Sequence, residues 1–496
     1  MMPAETDRFA NGAAWLGRWS ALLGTCLLAL VACATNPVTG KQDLVLVSER
    51  QEQALGQQAH AQTLQQYRVY QDTALQQYVD AVGQRVAAVS HRQDLTFTFT
   101  LLDSSEINAF ALPGGYIYIT RGLLAYLNSE AELAAVLGHE IGHVTARHGV
   151  RQASSAQAAN IGAGVLSIFL PGLRNPGLQQ SLGLLSTAVL RGYGREHELE
   201  ADRLGVEYLA AAGYDRDAMF RVVRILKNQQ LLDAQIAQSE GREARAYHGV
   251  FSTHPDHDTR LKAVLGYNGG DTTEGRVERN RFLNQIDGLV VGENPAEGIF
   301  AGNRFLHRDL GFGFGVPEQW RGQNLTDQVL ISDPSNQAIM MLRLVPHGNR
   351  PLDEALRASG VGELSRRESV TINGLSGLAG LAIVNLGGQQ RPARITGIQF
   401  RDYVYVFVGV TQNPDALGSF DARFRRVAQS FRALTNDEIR AIKALTVAIT
   451  RVQSDIAWAT LGQASPLKRY AAEQLKVLNA ADADMVKAGQ RIKLVE

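Results

Sequence analysis

Five consecutive residues, His139, Glu140, Ile141, Gly142 and His143, write H-E-x-x-H inside a strongly helical segment, and no other stretch constrains this 496-residue chain as tightly. In an α-helix, positions i and i+4 lie on one face a turn apart, so His139 and His143 can present two imidazole nitrogens to one metal. Glu140 is the neighbour placed to reach a water in the metal's open position and act as general base. The pattern reads as a zinc site with hydrolytic chemistry. The rival reading, two core-satisfied or solvated histidines on an ordinary helix, has to be judged on context. Ser129 and Glu132 make a capping-box pattern, and Leu133, Val136, Leu137, Ile141 and Val144 form one apolar stripe.

Two histidines need a third protein ligand, and spacing separates the candidates. His148 is nearest, but H-E-x-x-H-x-x-G-x-x-H would need Gly at 146 and His at 149, where this chain has Ala146 and Gly149. A glutamate from a second helix is the other route. The run Glu196-His197-Glu198-Leu199-Glu200-Ala201-Asp202 offers Glu198 as a ligand, with Asp202 one turn on to accept a hydrogen bond from the far nitrogen of a ligand histidine. Glu200 points elsewhere. On spacing alone, a solvated acidic helix face accounts for the cluster equally well.

Four strings in order carry a resemblance. They are Asn108-Ala109-Phe110-Ala111-Leu112-Pro113-Gly114-Gly115, His139 to His143 followed by Arg147-His148, Arg195 through Asp202, and Thr253-His254-Pro255 with Arg260. Over roughly residues 35 to 266 the chain resembles the BepA-like periplasmic zinc metalloproteases, relatives of HtpX and of the CAAX prenyl endopeptidase in the gluzincin group. The resemblance implies that His139, His143 and Glu198 bind one Zn2+ per chain, that Glu140 is the general base and that Asp202 supports a ligand from behind. It also returns His254 toward the metal, as a latch on the fourth zinc position, as an oxyanion donor, or merely as a cap on the following helix. Gly194 stands where the family often has Ser, which touches a cap and not a ligand.

Composition sets outer limits: 45% hydrophobic and 20% charged residues are ordinary globular content, with length for two or three domains. With 49 basic and 49 acidic residues and no basic patch, nucleic acid is not an expected partner. Both cysteines lie near the N-terminus. Arg8 and Arg18 precede an apolar run from Ala21 to Ala32, too short to span a bilayer as a mature helix and suited to a signal-peptide core. It ends Leu30-Val31-Ala32-Cys33, which resembles the bacterial lipobox, so Cys33 would carry lipid while Cys26 leaves with the signal. Ala34 favours outer-membrane sorting, and the expected location is the periplasm, lipid-anchored to the outer membrane through Cys33. A plain secretory signal is the alternative.

The expected fold class is α+β multidomain, a mainly helical gluzincin metalloprotease domain with a small sheet, then a β-rich α+β domain and a short LysM-like region. The expected spans are 1–32 for the signal peptide with lipobox, 33–47 for a tether, 48–267 for the protease domain, 268–299 for a linker, 300–435 for an α+β sandwich-like domain and 436–496 for the LysM-like region. Helical periodicity runs from Ser48 through Val86, strands are expected over Leu95 to Leu102 and Gly115 to Thr120, and the latter is a candidate for bordering the cleft. Two apolar pieces, Ala156 to Leu170 and Leu178 to Leu190, are too short or too interrupted to span a membrane and suggest a flap or core helices. The sandwich resembles small photosystem-associated and envelope lipoproteins. In the tail, a helix is expected through Ile442 to Ala448.

The function expected from all this is a zinc-dependent endopeptidase of the bacterial envelope acting on unfolded or stalled envelope proteins, with outer-membrane assembly machinery and peptidoglycan as further partners. The alternative is a chaperone or adaptor that binds clients or peptidoglycan with little proteolysis. Glu140 speaks against it, since binding alone needs no general base.

Overall fold

The computed structural model describes residues 33–45, 47–161, 193–239, 257–267, 275–325, 327–348, 350–386, 389–467 and 469–496. The signal segment, the turn Thr253-His254-Pro255 and most of the two apolar pieces lie outside the described residues; only 156–161 continue a described helix, His148–Ile161.

Helix Glu130–Thr145 carries the H-E-x-x-H pattern and is buried on every side, so the expected apolar stripe is only part of its packing. Ser129 caps it by accepting the Glu132 N–H at 3.2 Å, but the Glu132 carboxylate reaches back to the N–H of Asn128, at 2.6 Å, one residue earlier than a capping box requires. The stretch from Ser48 to Val86 is two helices, not one. Glu49–Gln66 starts at a full Ser48–Gln51 capping box, and Thr73–Ala87 starts at Asp72. The second turns Val79, Val82 and Val86 into the core shared with helix Glu130–Thr145.

The small sheet has the order Thr98–Leu102, Tyr116–Thr120, Ala109–Leu112, the first pair parallel and the second antiparallel. Tyr116–Thr120, for which a cleft border and a plain interior strand are equal expectations, is the central strand. The edge next to helix Glu130–Thr145 is Ala109–Leu112, which the sequence presented only as part of a motif.

The 33–47 tether is an ordered hairpin, Cys33–Thr35 pairing with Gln42–Leu44, its turn held by the Asn36 side chain. Within the expected 268–299 linker, the described residues 275–299 include helix Arg279–Gln285, about two turns long, which drives Phe282 and Leu283, both wholly buried, into the core shared with helix Glu130–Thr145.

Beyond that helix the chain is rich in strands. Its seven-stranded antiparallel sheet has the order Arg321–Asn324, Gln328–Ser332, Ala338–Pro346, Tyr403–Thr411, Gln389–Phe400, Leu375–Leu386, Ser365–Ile372. Strand Tyr403–Thr411 is buried on both faces, Tyr405 and Phe407 toward helix Leu417–Gln429, Val404, Val406 and Val408 toward helix Leu352–Ala358. The stretch Leu310 to Pro317 instead supplies Phe312–Gly315 to a separate four-stranded sheet.

The tail departs from expectation at its start. Helix Asn436–Ala441 stops early, and Leu445–Arg451 is a strand, consistent with the β-branched Thr446, Val447, Ile449 and Thr450. It pairs with Arg491–Val495 on one side and Val290–Val291 on the other, around helices Trp458–Ala464 and Ala471–Leu478. Val447, Leu475, Ile492 and Val495 join the core around helix Glu130–Thr145. Lys493, wholly buried, donates to the carbonyls of Ala125 and Leu127 at 2.7 and 2.8 Å. No helix among the described residues is long and apolar enough to cross a membrane.

Candidate metal centre

Helix Arg195–Ala211 crosses helix Glu130–Thr145 at glycines. A Cβ on Gly142 would sit 3.1 Å from the Ala201 carbonyl oxygen, and one on Gly205 would sit 3.2 Å from the His139 nitrogen. Without side chains at the crossing the two backbones approach closely, and Glu198 is carried to the two histidines.

His139, His143 and Glu198 are the candidate metal group among the described residues, with one donor atom from each all within 4.8 Å. The two Nε2 atoms are 3.0 Å apart, and the Glu198 oxygens lie 3.6 Å from His139 Nε2 and 3.5 Å from His143 Nε2. Donors on tetrahedral zinc, at bonds of about 2.0–2.1 Å, are spaced by roughly 3.3 Å, so the group needs little adjustment. Its electrostatics point the same way. Burial opposes charge on His139, yet hydrogen bonds with Asp202 and Glu198 outweigh it and lift the imidazole to about 9. The pocket draws a positive charge to the place a cation would take, and two imidazoles with one carboxylate suit a zinc-like dication.

Behind the ligands sits a second layer. Asp202 Oδ1 lies 2.9 Å from His139 Nδ1, the position expected for it. Arg260, on helix His257–Tyr267, grips Asp202 through Nε and a terminal nitrogen, each at 2.7 Å, and lies 3.3 Å from Glu198. Burial alone would raise the Asp202 carboxyl, but the Arg260 charge holds it below the usual range. Glu140 is buried on the same helix, close enough for its charge to act on Arg260.

The sequence left two participants, Arg260 and Tyr193, without a role. Arg260 was quoted only as part of a motif, although three carboxylates on two packed helices already asked for a counter-cation. Tyr193 stacks on the ring of His143, centroids 4.0 Å apart, and nothing in its spacing pointed there. His148, the rival third ligand, is elsewhere: its Nδ1 meets His143 Nδ1 at 2.9 Å, and His197 stacks on its ring at 4.3 Å. Glu200 bonds His148 and Arg151. His254 lies outside the described residues.

A centre that converges metal donors in a dry interior, and keeps a spare carboxylate beside them, is of the metallopeptidase class. Comparison with known proteins agrees. Residues 73–268 match the model of Peptidase family M48. It is 32% identical over 199 residues to the beta-barrel assembly-enhancing protease of Escherichia coli (strain K12), covering 38% of each chain. It is 31% identical over 221 residues to the Yersinia pestis protein of the same name, covering 40% of this chain and 45% of that one. To the mitochondrial metalloendopeptidase OMA1 of Schizosaccharomyces pombe it is 28% identical over 235 residues, covering 46% and 64%. The chain thus spans under two thirds of the length of these curated relatives, and the likeness to the BepA-like metalloproteases is a likeness of the protease domain.

Proposed function

We propose that this protein is a zinc-dependent endopeptidase of the bacterial cell envelope that cleaves misfolded or stalled envelope proteins. One observation carries the reading: a buried His139–His143–Glu198 group of zinc-fitting spacing, with the Glu140 carboxylate on the adjacent residue. When bound, zinc supplies Lewis acidity toward a scissile carbonyl and a lowered pKa to water. His139, His143 and Glu198 hold the ion. Glu140 takes a proton from water and passes it to the departing amine. Asp202 holds His139 Nδ1 and so fixes which nitrogen faces the ion, while Arg260 keeps Asp202 ionised and still.

The names of the bacterial relatives, beta-barrel assembly-enhancing proteases, support outer-membrane proteins and their assembly machinery as the clients and neighbours. The lipobox-like Leu30-Val31-Ala32-Cys33 supports a periplasmic enzyme anchored to the outer membrane through Cys33. In this reading His254 is the regulator, closing the fourth zinc position until a client opens it. His254→Ala then becomes more active on unfolded substrate; a large loss would assign it to the oxyanion instead. The LysM-like reading of the tail, with peptidoglycan as ligand, rests on its closing string alone.

The test is Glu140→Gln. It should keep zinc and lose at least about a hundredfold in turnover, the lower end for removing a general base. Envelope proteins retained by that variant and identified by mass spectrometry should be outer-membrane precursors. Proteolysis near the wild-type rate would end the mechanism.

A further inference from the structure

The ligand His143 is backed by a second histidine, and the fold goes to some length to bring it there. In a straight helix five residues turn about 500°, which puts position 148 roughly 140° around from position 143. The helix does not run straight. Ala146 caps it, Arg147 takes a left-handed φ of 56°, and a new helix begins at His148. Arg147 is a poor residue for that conformation, and its side chain is pinned by a buried ion pair with Glu52 at 2.8 Å and by the carbonyl of Val47 at 3.1 Å. The kink folds the His148 ring back onto His143.

The ring nitrogens then have one consistent proton arrangement. His143 faces His139 and Glu198 with Nε2, so for that nitrogen to hold a metal the proton must sit on Nδ1. His143 Nδ1 lies 2.9 Å from His148 Nδ1, which must accept. His148 therefore carries its proton on Nε2 and donates to Glu200 at 3.0 Å. Arg151 reaches Glu200 at 3.2 Å and Asp43 at 3.1 Å, so the row ends on the N-terminal hairpin.

We propose that His148 is a positioning residue for the metal: it fixes the tautomer and ring orientation of His143, is itself fixed by Glu200, and is tied through Arg151 to Asp43 of the hairpin that follows Cys33. His139 and His143 are thus supported by different devices, one by a carboxylate, the other by a histidine in series with a carboxylate. The inference rests on the reading of His139, His143 and Glu198 as the zinc ligands.

Zinc affinity and release, measured on the purified protein by competition with a chromogenic chelator, test it without reference to proteolysis. His148→Ala should weaken zinc binding about 10–100-fold, the usual cost of losing such a partner. His148→Asn, whose side-chain oxygen falls near the lost Nδ1, should recover most of that loss. Glu200→Ala, at a half-buried position that threatens the fold less, should weaken binding by less than His148→Ala, and the double variant should cost less than the product of the two. Wild-type affinity and release in His148→Ala would overturn the proposal, and so would an equal loss in the Asn variant, which would mark a packing role. If Glu198→Ala also kept its zinc, the ligand assignment itself would have failed; if only the His148 variants were silent, this inference alone would fall.

Discussion

Arg260 holds Asp202 with two hydrogen bonds of 2.7 Å, both partners buried in the protease interior. The pair sits one bond further out than His139, so it is the anchor of the metal face and not part of it. Removing the guanidinium leaves Asp202 and Glu198 buried without their counter-charge. Arg260→Ala should lower the unfolding free energy of the metal-free protein by about 3–5 kcal/mol, as for other buried pairs broken on one side. Arg260→Lys should recover only part, since a point charge cannot grip both oxygens. Urea titration of the three proteins checks the order; an Ala variant as stable as wild type contradicts it.

Ligand and support should separate cleanly in metal content. Glu198→Ala removes a donor and should leave protein purified with little zinc. Asp202→Asn keeps the shape but surrenders the charge on His139, so it should bind zinc some 10–100-fold more weakly. Atomic absorption after dialysis against a dilute chelator distinguishes them, and equal retention in both would mean that Glu198 is no ligand.

Lys493 should control how the C-terminal segment grips the protease body. Lys493→Met would leave the carbonyls of Ala125 and Leu127 without their donor, a loss of about 1–3 kcal/mol. The expected consequence is faster limited proteolysis near residues 443–445, read by mass spectrometry of the fragments. Unchanged cutting would show that the apolar contacts of Ile492 and Val495 suffice.

The strand-rich region should weaken on mild acidification because of His307. Its ring is buried near Phe312, accepts the Leu310 N–H at Nδ1, and burial pushes its pKa down to about 4. The unfolded chain takes up that proton near the ordinary histidine value of 6.5, whereas the folded one resists it. The His307 contribution is therefore complete above pH 6.5 and is lost as pH falls toward 4. Thermal midpoints from pH 7 to 4 should drop less steeply in His307→Phe than in wild type. Parallel slopes would remove His307 as the cause.

Much of the metal centre was legible because it obeys short-range rules. His139 and His143 share a face by spacing, and Glu198 with Asp202 repeats the device on a second helix. What escaped depends on backbone events that residue types do not announce. A left-handed Arg147 redirects His148, and Arg279–Gln285 reads as linker from the Gly, Asp, Thr, Asn and Pro scattered around it until Phe282 finds a core. Likewise Ala109–Leu112 is too short for its period to declare an edge strand. The helix expected through Ile442 to Ala448 gives way to a strand from Leu445 because the apolar spacing suits either form and only the partner strands decide.

The bond from Lys493 to Ala125 joins residues 368 positions apart, and the whole strand-rich region is threaded between them. A ribosome delivers the H-E-x-x-H helix hundreds of residues before the strand that helps close its core. For most of its synthesis, then, the nascent protease has a hydrolytic helix without a finished interior to hold it, and the order of manufacture itself postpones the day the blade can be set.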